Sequence, residues 1–289
     1  MVAIKRIEQT LEIAIDRASG PGCPPKLGAA LRHAIFPGGA RVRPRLCLAV
    51  AHACGDDRPE LTEAAAAAIE MLHCASLVHD DLPCFDDAAT RRGKPSVHVA
   101  FGEPIAVLAG DALIVLAFET LACHVAAAPE RVGRLLECVA RAVGGPTGIV
   151  AGQAWESEPL AVLQTYQREK TGSLFVAATS CGAAAAGADP ALWQDLGDRL
   201  GEAYQVADDL HDAAAKAGEM GKPVGQDAAH HRPSAALELG VEGAVARLEG
   251  LIAAAIAAIP PCRRRGDLEA LVKQEAKRLL PESLARHAA

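Results

Sequence analysis

Apolar residues recur three and four positions apart through most of this chain, and clusters of glycine and proline punctuate the pattern at Ser19–Pro25, Pro37–Gly39, Gly144–Pro146 and Pro260–Pro261. That spacing is the period of a helix burying one face, and no stretch alternates for long enough to suggest a strand. Composition agrees. Apolar residues make up 51% of the chain but aromatics only 3%, and much of the apolar share is alanine, which suits closely packed helices far better than a sheet. The chain is therefore expected to be all-α, with helices over 4–18, 25–35, 43–54, 61–79, 104–127, 130–143, 160–186, 190–216, 241–258 and 265–279. Asp189 and Pro190 mark a legible start, a cap followed by a first-turn proline. The connections are short, so one domain over residues 1–289 is expected. The alanine runs Ala64–Ala68 and Ala183–Ala186 sit inside helical patterns, and no fixed-period repeat is present.

The formal charge of −7 argues against a protein that holds nucleic acid by its phosphates. Nine cysteines are scattered through apolar segments without paired zinc spacings, which predicts reduced thiols in a cytoplasmic protein. Met1–Arg17 mixes charge with Ile and Leu and lacks the apolar stretch of a secretory signal. The apolar run Leu251–Ile259 is far shorter than the roughly 20 residues a bilayer requires. A soluble protein without a transmembrane segment is expected.

Two acidic clusters carry the chemistry. In Leu77-Val78-His79-Asp80-Asp81-Leu82-Pro83-Cys84-Phe85-Asp86-Asp87, Pro83 removes a backbone donor and disfavours helical geometry at Leu82. The chain must bend there, and the bend can return Asp86 to Asp80. In Gln205-Val206-Ala207-Asp208-Asp209-Leu210-His211-Asp212, Asp208 and Asp212 lie four apart on one helical face, where like charges repel unless a cation intervenes. All-oxygen sites suit hard cations such as Mg²⁺, which joins carboxylates to substrate phosphates. Either cluster alone reads equally well as a solvated helix end. Two, each preceded by apolar residues, point to carboxylates at the rim of a greasy cavity.

Basic residues complete the pattern: Arg41 and Arg43 after Gly38-Gly39, Arg91 and Arg92, Lys170 with Thr171, Lys222 and Arg232. Arginine forks bind phosphate bidentately and lysine acts as a point charge. His211, His230 and His231 lack zinc-type spacing, and Cys84 reads as a small packing residue rather than a nucleophile.

These motifs resemble those of the trans-isoprenyl diphosphate synthases, most closely bacterial geranylgeranyl diphosphate synthases. The resemblance runs over nearly the whole length. It is carried by Asp80-Asp81-Leu-Pro-Cys-Phe-Asp86-Asp87, Arg91-Arg92-Gly93-Lys94-Pro95, Lys170-Thr171-Gly172, and Gln205 to Asp212 followed by Gly221-Lys222-Pro223. It implies a helical bundle of the isoprenoid synthase type around a deep central cavity, and a homodimer. It further implies three Mg²⁺ ions, with Asp80, Asp86 and Asp208 as main ligands and Asp81, Asp87, Asp209 and Asp212 in support. Arg91, Lys170 and Lys222 would hold the allylic diphosphate; Arg43, His73 and Arg92 would hold isopentenyl diphosphate; Thr171 and Gln205 would face the developing cation. Arg41 and Arg232 join the expected substrate-binding set.

One departure stands out: Ala40 occupies the place of the lysine usual in Gly-Gly-Lys-Arg. Losing one charged phosphate contact weakens binding by about 1–3 kcal/mol. Product length is expected to depend on the helix beneath Asp80, whose face returns at Ser76, Leu72 and Ile69. Ala75 stands where family members that stop at C15 usually carry an aromatic residue, so a C20 product is expected, with C15 as the alternative. A terpene cyclase would be expected to carry a different second metal motif. A regulatory, non-catalytic subunit is the remaining alternative, and Ala40 favours it while the intact acidic motifs oppose it.

Overall fold

The computed structural model describes residues 2–158, 168–216 and 235–279, and the chain gathers into two compact units, Met1–Ala140 with Ser180–Pro190, and Arg141–Thr179 with Ala191–Ala289. The described residues form twelve α-helices and a single two-stranded hairpin, as the apolar spacing predicts.

In the first unit, α1 (Val2–Ala18), α2 (Pro25–Ile35), α3 (Val42–Cys54) and α6 (Glu103–Ala122) pack on α4 (Pro59–Asp80). The alanine run explains why α4 can be central. Ala64 to Ala68 are each at most 1% exposed, and side chains this small let neighbouring helices approach from several directions. Below them Ile69, Met71 and Leu72 are also at most 1% exposed, each stabilising the unit by about 1.5–3 kcal/mol. The short α5 (Val97–Phe101) and α7 (Pro129–Val143) complete the set, the last three residues of α7 belonging to the second unit.

In the second unit, α8 (Ile149–Trp155), a π-helical turn (Arg168–Gly172) and α9 (Ser173–Ala185, which enters the first unit at Ser180) precede a 3₁₀ turn (Pro190–Trp193) and α10 (Gln194–Lys216). α11 (Ala235–Ala257) packs on α10 through Ala203, Val206, Ala207, Leu210, Ala244, Leu248 and Leu251, followed by α12 (Arg265–Leu279).

Three differences from the expected elements have physical causes. The hairpin Thr90–Arg91/Lys94–Pro95 is too short for any periodicity to register, and it closes through Arg92 and Gly93, both at positive φ, as a two-residue hairpin turn of this hand demands. The expected helix over 160–186 is a π-turn and then α9 within its described residues, and α8 was not expected at all. The helix expected from Val241 starts six residues earlier, at Ala235, and its two parts meet at a kink where Gly240 takes φ 70. By length and composition, α4 and α6 could each cross a membrane; α4 is a core helix with 78% of its apolar window buried, whereas α6 is 44% buried.

Candidate active site

The first acidic cluster is built by a chain reversal. α4 ends at Asp80; the Asp86 N–H then donates to the Asp80 carbonyl (3.0 Å), Asp87 to Leu82 (3.1 Å) and Ala88 to Asp81 (3.2 Å). The bend expected at Pro83 therefore does bring Asp86 back to the end of α4. Asp80 and Asp86 are half-buried and Asp87 is exposed. Asp81 differs: its carboxylate is buried and accepts from Arg91 Nε (2.9 Å) and Nη2 (2.5 Å). Burial lifts Asp81 above the ordinary carboxylate range despite Arg91. Burial likewise disfavours the charge on Arg91, but Asp81 outweighs it and raises the arginine. Arg91 is thus already anchored beside the cluster.

Four arginines of this unit act on the charge of His73, which is half-buried on α4. Burial, then the charges of Arg43, Arg92, Arg41 and Arg91, hold its pKa well below the usual histidine range, so it is a neutral imidazole with one donor and one acceptor. Arg43 is 9% exposed. A small cleft of about 20 Å³, little more than a water molecule occupies, is lined by His33, Cys74, Leu77, Asp81, Arg91 and Arg92 among others.

Arg41 requires a correction. Its side chain is 1% exposed, and its donors go to Glu8 (2.7 and 3.3 Å), Glu70 (2.5 Å) and the Ile35 carbonyl (2.9 Å). Burial opposes its charge, yet the two carboxylates outweigh burial and raise its pKa. A guanidinium so enclosed has little left to offer a diphosphate, so Arg41 joins α1, α4 and the loop before α3 rather than meeting substrate. The signal missed in the sequence is Glu70, the one charge between Ala64 and Leu72, because a lone carboxylate in an apolar helical run must find a buried cation.

The second cluster sits mid-helix, in α10. Asp208 is exposed while Asp209 is 5% exposed, since neighbouring residues on a helix point about 100° apart. Thr171 Oγ1 donates to Gln205 Oε1 (3.0 Å), and Gln205 Nε2 donates to Asp209 Oδ1 (3.1 Å), a relay that fixes which way the Gln205 amide faces. Two glycines four apart make this possible. A Cβ on Gly201 would lie 2.6 Å from Gly172 Cα, and one on Gly197 2.5 Å from Val176 Cα, so only glycine lets α10 run this close to the segment carrying Thr171. The π-turn over Arg168–Gly172 is itself a geometry common at functional sites. Lys170 Nζ donates to Glu156 Oε1 (2.8 Å), and Gln153 Nε2 donates to the other carboxylate oxygen, Oε2 (2.7 Å).

Leu72 and Ala75 are each 1% exposed. His73, Ser76, Leu77 and Asp80 are half-buried, a spacing that marks one less-covered stripe on α4 descending from the acidic end. Ser76 Oγ donates to the His73 carbonyl (2.8 Å). Asp212 lies in α10, its side chain outside the described residues, as are Lys222, Arg232, His230 and His231. The nine cysteines are free thiols, with burial pushing Cys74 up to about 12.

The polyprenyl synthetase family profile matches residues 24–257, spanning both acidic clusters. The chain belongs to the polyprenyl synthetase family. Among relatives of this polyprenyl synthetase, a geranylgeranyl diphosphate synthase from Cereibacter sphaeroides is 54% identical over 97% of the chain and 98% of its own length. One from Rhodobacter capsulatus is 51% identical over 96% of each. A farnesyl diphosphate synthase from Geobacillus stearothermophilus is 38% identical over 86% of each. A geranyltransferase from Legionella pneumophila superposes with a TM-score of 0.81 at 26% identity, covering 96% of this chain and 94% of that one. The fold is that of the isoprenoid synthases, and the family is one of Mg²⁺-using trans-prenyltransferases.

The residues present suit that ion. Their donors are carboxylate oxygens on a short reversed segment and on one helix, and among the described residues no three His, Cys, Asp or Glu side chains form an all-protein cage. Mg²⁺ characteristically takes one or two carboxylates and completes its shell with water and phosphate oxygens.

Proposed function

We propose that this polyprenyl synthetase condenses isopentenyl diphosphate with an allylic diphosphate and that its main product is the C20 geranylgeranyl diphosphate. The observation that carries the chemistry is the reversal joining the Asp86 N–H to the Asp80 carbonyl at 3.0 Å, which sets two carboxylate residues at one helix end beside a nest of arginines. The C20 length is supported by the two relatives above 50% identity, both named geranylgeranyl diphosphate synthase, and by alanine rather than an aromatic residue at position 75.

In this reading Asp80, Asp86 and Asp208 are the principal Mg²⁺ ligands, supported by Asp81, Asp87, Asp209 and Asp212, for three ions. Bound Mg²⁺ supplies Lewis-acid neutralisation of the leaving diphosphate. Arg91 meets the allylic diphosphate from its anchored position on Asp81, Lys170 exchanges Glu156 for a phosphate oxygen, and Lys222 adds a third cation. Arg43, Arg92 and the neutral His73 hold isopentenyl diphosphate. The hydroxyl of Thr171 and the amide of Gln205 present oxygen dipoles to the allylic cation, and the departing diphosphate accepts the final proton. Leu72, Ala75 and Ser76 line the path of the growing chain. Both compact units then act as one catalytic domain over residues 1–289, in the cytoplasm. Self-association as a homodimer is supported by α6, whose Val107, Leu108 and Val115 are 42–65% exposed.

Incubating the purified chain with Mg²⁺, isopentenyl diphosphate and each of the C5, C10 and C15 allylic primers, then sizing the products, tests the reading. C20 from every accepted primer is expected. A product that stops at C15 would move it to a farnesyl diphosphate synthase, and no turnover by the chain alone would favour a regulatory subunit.

A further inference from the structure

Glu70 Oε1 lies 2.5 Å from Arg41 Nη1 and 4.0 Å from Arg92 Nη2, and the glutamate is 2% exposed. These same two arginines hold left-handed backbone, at φ 52 and φ 54. Residues other than glycine keep that conformation where their surroundings over-determine it. Each also crosses one member of the glycine pair: a Cβ on Gly38 would lie 2.1 Å from Arg41 Cζ, and one on Gly39 would lie 3.1 Å from Arg92 Nε. The loop before α3, the turn of the hairpin and the middle of α4 therefore meet at a single carboxylate. Arg41 is enclosed at 1% exposure, whereas the Arg92 side chain remains 23% exposed, with one edge toward Glu70 and another toward solvent.

We infer that Glu70 is a positioning residue for isopentenyl diphosphate: it pins Arg92, and through Arg41 the glycine loop leading to Arg43, in place before substrate arrives. The inference rests on the prenyl-transfer reading above and adds to it a group that touches no substrate. Holding cations in their bound geometry lowers the ordering cost of binding. Arg91 is anchored separately, by Asp81, so the two substrates depend on different carboxylates. Loss of Glu70 should be felt by isopentenyl diphosphate and not by the allylic partner.

Glu70→Gln keeps the shape and removes the charge. Its KM for isopentenyl diphosphate is expected to rise about 10- to 100-fold, with the allylic KM within about twofold and kcat within about threefold. Combining it with Arg92→Gln should raise KM by less than the product of the two single effects, since the two variants share one contact while the route through Arg41 remains. A merely structural role would move both KM values and kcat together, or the melting temperature alone, and either result overturns the inference. So does a strictly multiplicative effect in the double variant. If Glu70→Gln does not melt as a folded protein, Glu70→Asp, which keeps the charge in the core but draws it back, should show the same one-sided KM change to a smaller degree. Absence of prenyl turnover by the wild type would overturn the functional reading and this inference together, whereas normal turnover with an unmoved isopentenyl KM overturns the inference alone.

Discussion

The two acidic clusters present carboxylates by opposite means. At the end of α4 the backbone does the work: a proline stops the helix, and hydrogen bonds fold Asp86 back onto it and Asp87 onto Leu82. In α10 the helix runs on, and its period does the sorting, turning Asp208 outward and Asp209 inward to Gln205. The first arrangement brings cations of its own, with Arg91 on Asp81. The second depends on a neighbouring segment brought close by Gly197 and Gly201. A reversal is thus specified locally, while a relay is specified by how tightly two helical segments pack.

The largest effects should come from removing carboxylates that the proposed mechanism uses from each side. Asp80→Ala and Asp208→Ala are each expected to lower kcat by about 100- to 1000-fold or more while the folded protein still binds diphosphate, measured as product formation against direct binding. Full turnover by Asp208→Ala would leave the second cluster a solvated helix face. Product length separates the clusters next. Ala75→Tyr should shift the product to C15, and Leu72→Ala should lengthen it; an unchanged product profile from both would show that the chain does not grow along α4.

A smaller effect probes the close approach. Gly201→Ala places a methyl against backbone that cannot yield, and should destabilise by about 1–3 kcal/mol with a matching loss of activity as Thr171 leaves Gln205. Gly133→Ala is the control: it lies inside α7 with open space around it, and should stabilise by about 0.5–1 kcal/mol. Chemical unfolding of the two variants side by side checks this, and equal shifts would refute the close-packing argument.

The smallest effect is a pH dependence belonging to the first cluster's surroundings. His73 is held neutral, its folded pKa below the unfolded value near 6.5. Its stability contribution is therefore complete above about pH 6.5 and is lost as pH falls toward the folded value, by up to roughly 1 kcal/mol per pH unit. Melting curves at pH 7.5, 6.5 and 5.5 should show wild type losing stability faster than His73→Gln on acidification. Parallel losses would mean His73 is already charged among its arginines.

Much of this was legible in the residues. The α2 boundaries, Pro25 and Ile35, were legible because Pro25 and the Pro37–Gly39 cluster bracket the helix, and the reversal after Asp80 followed from the constraint Pro83 places on Leu82. The π-turn and α8 were not legible, because a short element has too few turns to establish a period. Nor was the division of labour among the arginines: Arg41, Arg43, Arg91 and Arg92 look alike in sequence, yet one is sealed against Glu8 and Glu70 and another is clasped by Asp81.

By itself the sequence determined helical class, the sites of chain reversal and the spacing of the carboxylates, since period, proline and helical pitch act within a few residues. Which cation meets which carboxylate, which aspartate of a pair faces inward to a partner, and which glycine marks a close crossing were decided only by tertiary packing. Burial makes an uncompensated charge costly and a misplaced methyl intolerable, and burial is set by residues far apart in the chain.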